Sequence, residues 1–200
     1  CANLISLDAE DSFCPSLEVL DLSSCPEFDG RGLLDNSERS LDEIFPRIRK
    51  LNLKDCASLK YVKIDEASER STTILVPIEG LESIDLSLCV HLENVVITST
   101  SLKRIDLAQC LHLKVLSIHF PNLKELDLSR LPLLMMIAIW CPSLVRLNLA
   151  GCCDLKSKTS LVECDKLEWV DIRGATYLTP EFFCDAKKGK CGNGNLLICK

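Results

Sequence analysis

Along most of this chain a leucine-like residue is followed three places later by a second and two places after that by a third, and the phrase then returns. It reads SLEVLDLSSC at 16–25, RIRKLNLKDC at 47–56, GLESIDLSLC at 80–89 and SLKRIDLAQC at 101–110. Three further copies are NLKELDLSRL at 122–131, SLVRLNLAGC at 143–152 and KLEWVDIRGA at 166–175. All fit L-x-x-L-x-L-x-x-C with Ile or Val allowed for Leu, except that Leu131 and Ala175 replace the final cysteine. The leading residues are Leu17, Ile48, Leu81, Leu102, Leu123, Leu144 and Leu167, and the steps from Leu81 through Leu144 are 21 residues each. Within a copy the alternation Leu20, Asp21, Leu22 has the period of a strand with one face buried. A single such coil cannot bury its leucines alone, so the pattern predicts a stack of coils whose strands form a parallel sheet.

A weaker half-repeat lies ten or eleven residues further on, as LKYVKI at 59–64, LENVVI at 92–97, LKVLSI at 113–118 and Leu134 to Ile139. It predicts a second, shorter strand on the opposite side of each coil. Two long steps carry inserts. Residues 30–45 read as a helix started by Ser37 or Ser40, and 66–80 as a polar loop. At 179–189, Thr179 as N-cap, Pro180 at the first helical place and Gly189 as stop predict a short capping helix.

The seven copies resemble the leucine-rich-repeat family from about residue 14 to 178. That resemblance implies an α/β repeat class of fold: a solenoid with a parallel β-sheet on its concave face, short strands or irregular segments on the convex side, and few helices. Residues 1–178 would form the solenoid and 179–200 a cap helix with a flexible tail. The outward third and fifth repeat positions then supply the candidate protein-binding residues Lys50, Asp85, Arg104, Asp106, Glu125, Asp127, Arg146, Trp169 and Asp171, with Arg173 from the seventh position. Arg and Trp are the side chains most enriched among interface anchors, which singles out Arg104, Arg146, Arg173 and Trp169. The aspartate row reads more readily as a solvated face of the repeat, since charge rows usually are. Met135 and Met136, beside Trp140, read more readily as core filler than as a second contact patch.

Composition narrows the partners. A net charge of -6 and a pI near 5.2 give no clustered cationic footprint for nucleic acid or anionic membrane. The longest apolar run, Leu131 to Trp140, is about half the ~20 residues a bilayer crossing requires. Eight of the 13 cysteines belong to the repeat instead of a disulfide framework: Cys25, Cys56, Cys89, Cys110 and Cys152 take its ninth place, and Cys14, Cys141 and Cys164 precede a leading Leu by three. Such packed thiols require a reducing compartment, so the expected location is cytoplasm or nucleus. Cys89-Val-His91 and Cys110-Leu-His112 are two Cys-x-His pairs one coil apart, but structural zinc favours wider spacing and no metal is expected. Cys184, Cys191 and Cys199 are assigned to the tail. No phosphate loop, H-E-x-x-H or G-x-S-x-G is present, and no cofactor or catalytic group is expected.

CPSLEVLDLSSCPEFDGRGLL and FPNLKELDLSRLPLL are similar to the cysteine-containing repeats of F-box proteins. The resemblance implies capture of a ubiquitination substrate, with cullin ligase subunits reached through an F-box upstream; a chain starting at Cys1 reads as a fragment or processed product. The alternatives are the ligand-sensing repeats of an intracellular immune receptor and a free-standing signalling scaffold.

Overall fold

The computed structural model describes residues 3–5, 14–30, 45–64, 80–156, 159–179, 183 and 196–200. In chain order its strands are β1 (Val19–Asp21), β2 (Lys50–Asn52), β3 (Tyr61–Ile64), β4 (Ser83–Asp85), β5 (Asn94–Thr98), β6 (Arg104–Asp106) and β7 (Val115–His119). There follow β8 (Glu125–Asp127), β9 (Met136–Trp140), β10 (Arg146–Asn148), β11 (Ser160–Val162), β12 (Trp169–Asp171) and β13 (Leu197–Cys199). Every pairing is parallel, and repeat positions pair in register: Arg146 lies beside Trp169, and Asp85 beside Asp106. The chain is thus a parallel-strand solenoid of the expected class. The expected helix within 30–45 and loop at 66–80 lie almost wholly outside the described residues. So does the capping helix, apart from exposed Thr179 and helical Phe183, which is buried.

Each repeat phrase forms a front strand and each half-repeat a back strand. The back strands pair in the order β3-β5-β7-β9-β11. They are not the shorter set: β5, β7 and β9 have five residues, whereas the front strands have three. The reason is the turn that ends the front strand of each repeat phrase at its Asp or Asn, described below. Leu197–Cys199, within the segment expected to be tail, pairs with β12 as a further front strand.

The core fills the space between the two layers. Leu51, Ile84, Leu126, Leu147 and Val170 enter it from the front, and Val95, Leu116 and Ile137 from the back, none more than 3% exposed. Burying each such side chain is worth roughly 1.5–3 kcal/mol, and only stacked neighbours make that burial complete.

The ninth-position thiols seal the coils to one another. Cys56 Sγ donates to the Leu22 carbonyl at 3.3 Å, Cys89 to Leu53 at 3.1 Å, Cys110 to Leu86 at 3.1 Å and Cys152 to Leu128 at 3.0 Å, always one coil back. Burial pushes the Cys56 and Cys152 thiols up to about 11 and Cys89 to about 12, so at neutral pH they stay protonated donors. Cys141 and Cys164 are buried as expected, but Cys14 is exposed, because no coil among the described residues covers it.

The front ladder is interrupted at one place. Its strands form two sheets, β1-β2-β4-β6 and β8-β10-β12-β13, and β6 and β8 are not hydrogen-bonded neighbours. Behind them the same two coils remain joined through β7 and β9.

Candidate functional site

The front face is built by a local rule. In every copy the fifth-position side chain turns back and its Oδ1 accepts the backbone N–H two residues on. The pairs are Asp21 with Ser23, Asn52 with Lys54, Asp85 with Ser87, Asp106 with Ala108, Asp127 with Ser129, Asn148 with Ala150 and Asp171 with Arg173, all at 2.8–3.1 Å. Asp and Asn close such a turn equally well, since one carbonyl-type oxygen is all it uses. The acidic row is therefore first a row of strand terminators. Hydrogen bonds from Ser23 hold the Asp21 carboxyl below the usual carboxylate range.

Six expected binding residues, Lys50, Asp85, Arg104, Asp106, Glu125 and Asp127, line one groove of about 1130 Å³ on the front face. Its rim also includes Lys103 and Lys124, at the second repeat position, which sequence reasoning passed over. That position places a charge immediately before the front strand in six of the seven copies, Val145 being the exception: Glu82 Oε1 lies 3.1 Å from Arg49 Nη1 and 3.4 Å from Lys103 Nζ, linking three coils. The hydrogen bond and charge of Lys103 hold the Glu82 carboxyl below its ordinary value. Exposed pairs of this kind contribute little stability but orient the cations.

Arg146, Trp169, Asp171 and Arg173 do not line the groove; they lie further along the same face, on β10, on β12 and just beyond it. The Arg146 guanidinium carbon sits 5.3 Å from the Trp169 ring centroid, a cation–π arrangement. On its other side Trp169 pairs in register with Leu197, which is 60% exposed, so a cation, an indole and an aliphatic chain adjoin. Asp171 is no free surface carboxylate. It is 1% exposed, both its oxygens accept from Arg173, and the guanidinium beside it lowers its pKa.

The back face corrects one expectation. Met135 and Met136 are 42% and 39% exposed, because strand alternation sends Ile137 and Ile139 inward and leaves Met136, Ala138 and Trp140 facing out. Trp140 packs edge-on against His119 with centroids 3.7 Å apart. The two Cys-x-His pairs divide by depth. Cys89 and Cys110 are buried and committed to carbonyls, while the exposed His91 and His112 rings stand 5.4 Å apart at the surface. Among the described residues no three His, Cys, Asp or Glu side chains gather as a metal site, and no helix is long and apolar enough to cross a membrane.

A family model described as Leucine Rich repeat matches residues 13–34, which contain the first repeat phrase. No curated protein and no solved structure matches the chain. The match covers the first of the seven repeat phrases; together with the parallel solenoid those phrases form, it makes the chain similar to leucine-rich-repeat proteins, and such repeats suggest a protein-interaction scaffold.

Proposed function

We propose that the front face binds a protein partner and that the chain is the substrate-recognition repeat region of an F-box-type ubiquitin ligase adaptor. The observation that carries the binding reading is the Arg146–Trp169–Leu197 cluster beside a groove rimmed by both charge signs. A half-buried indole held by a guanidinium loses little freedom on binding, and such side chains contribute most at interfaces. The ligase reading rests on the C-P-x-L…L-x-L-x-x-C phrases, and it requires an F-box elsewhere in the full-length protein. The buried thiol ladder favours a reducing compartment, hence cytoplasm or nucleus. Substrate and cullin subunits are the partners this role implies, and residues 1–178 and 179–200 are its working division into solenoid and end segment.

The test is affinity purification of the full-length protein from native lysate. Wild type should recover cullin subunits together with a substrate, and Trp169→Ala should lose the substrate at least about tenfold while keeping the cullin, a loss of roughly 1.4 kcal/mol or more. Recovery without any cullin removes the ligase reading. Equal substrate capture by Trp169→Ala and Arg146→Ala removes the binding face.

A further inference from the structure

The break between β6 and β8 has a residue-level cause. At every other front junction between the seven repeat copies the amides before and after the strand bond the adjoining coil. Lys103 N–H donates to the Glu82 carbonyl and Val145 to Lys124; Leu86 donates to Asp106 and Leu128 to Asn148; Leu88 donates to Ala108 and Arg130 to Ala150, all at 2.7–2.9 Å. The counterparts at the seam, from Lys124 toward Lys103, Leu107 toward Asp127 and Gln109 toward Ser129, are not formed. Ile105 is half-buried there, whereas Ile84 and Leu126 on either side are 2% and 3% exposed.

The coil on the far side of the seam is the one whose ninth residue is Leu131 instead of cysteine. In four coils the ninth side chain reaches the preceding carbonyl at 3.0–3.3 Å through a thiol. Leu131 is 1% exposed and occupies the same place with a branched carbon chain that has no donor and more bulk. Loss of the donor is not the cause. Ala175 also lacks one, yet its coil keeps the Leu149-to-Asp171 and Gly151-to-Arg173 bonds at 2.7 Å. What differs is size. Behind the seam, Met135 N–H still donates to the Lys114 carbonyl at 2.9 Å and Phe120 to Trp140 at 3.1 Å. The two coils are therefore parted in front and joined at the back.

We propose that this seam is a flexure built into the solenoid, hinged on the β7–β9 pairing and held open by Leu131, so that the front face is two plates of adjustable angle. The groove spans it, with Arg104 and Ile105 on one plate and Lys124 and Glu125 on the other. The proposal stands whether or not the partner is a ligase substrate.

Residue-resolved amide exchange and backbone relaxation dispersion on the full chain test it. Lys124, Leu107 and Gln109 amides should exchange about 100-fold or more faster than Lys103, Leu86 and Leu88, with dispersion confined to β6 and β8. Leu131→Cys should restore protection at the three amides and flatten the dispersion. Cys110→Leu should transfer the defect one coil back, to Leu86 and Leu88; where that variant does not fold, wild type and Leu131→Cys decide. Protected seam amides in wild type, flat dispersion profiles in wild type, or a seam unchanged in Leu131→Cys would each overturn the flexure.

Discussion

Ser24, Asp55, Leu88, Gln109 and Arg130 hold φ between 53° and 63°, and Gly151 and Gly174 hold 78° and 75°: one left-handed residue at the eighth place of each repeat. Glycine bears this conformation without strain, and other residues bear it at about 1–2 kcal/mol. A Cβ added at Gly151 would meet the Arg130 backbone only at 3.5 Å, ordinary contact, so backbone strain alone sets its effect. Gly151→Ala should therefore destabilise by about 1 kcal/mol in urea titration, while Arg130→Gly should leave the midpoint unchanged or raised. A large loss in the second variant would remove this account. Asp171 gives a pH-dependent counterpart. Its folded pKa is depressed by Arg173, so the pair stabilises above the unfolded carboxylate value of about 3.9 and the effect disappears as pH falls through the folded value. Asp171→Asn keeps the turn acceptor but loses the ion pair. It should be less stable than wild type at pH 7, and the difference should shrink progressively as pH falls below the unfolded carboxylate value; a difference independent of pH would contradict the pairing.

At the scale of elements, β13 closes one end of the front sheet. Leu197 N–H donates to the Glu168 carbonyl at 2.8 Å, Ile172 N–H donates to the Cys199 carbonyl at 2.9 Å, and Ile198 packs on the core. Deleting 196–200 should bare the β12 edge, lower the thermal midpoint and produce concentration-dependent association in light scattering. A monomer with an unchanged midpoint would show that β13 is not a cap. The front strands and their register were legible because seven copies share one phrase, and the back strands because the half-repeat keeps the same spacing. β13 was hidden: Leu196 to Cys199 is a lone apolar run after KKGKCGNGN, without enough of the phrase to announce a strand. The exposure of Met136 was hidden for the opposite reason, since LLMMIAIW is apolar at both parities and gives no sign of which side faces water.

For the molecule as a whole, six of the ten residues expected on the binding face share a groove, because a parallel in-register stack converts equal repeat positions into rows. The other four depend on contacts between specific neighbours, such as Arg146 over Trp169 and Arg173 closing on Asp171, which no periodicity encodes. The seam was illegible for a related reason. Leu131 satisfies the apolar rule of its position, and only the 3 Å approach of the thiols elsewhere reveals that the position also limits size. The aspartate turns carry the widest implication. Since the turn uses only one oxygen, exchanging Asp for Asn along the row changes the electrostatic potential of the face without touching the backbone that supports it. In this scaffold, outside the Asp171–Arg173 pair, the charge presented to a partner and the stability of the stack can therefore vary independently, coil by coil.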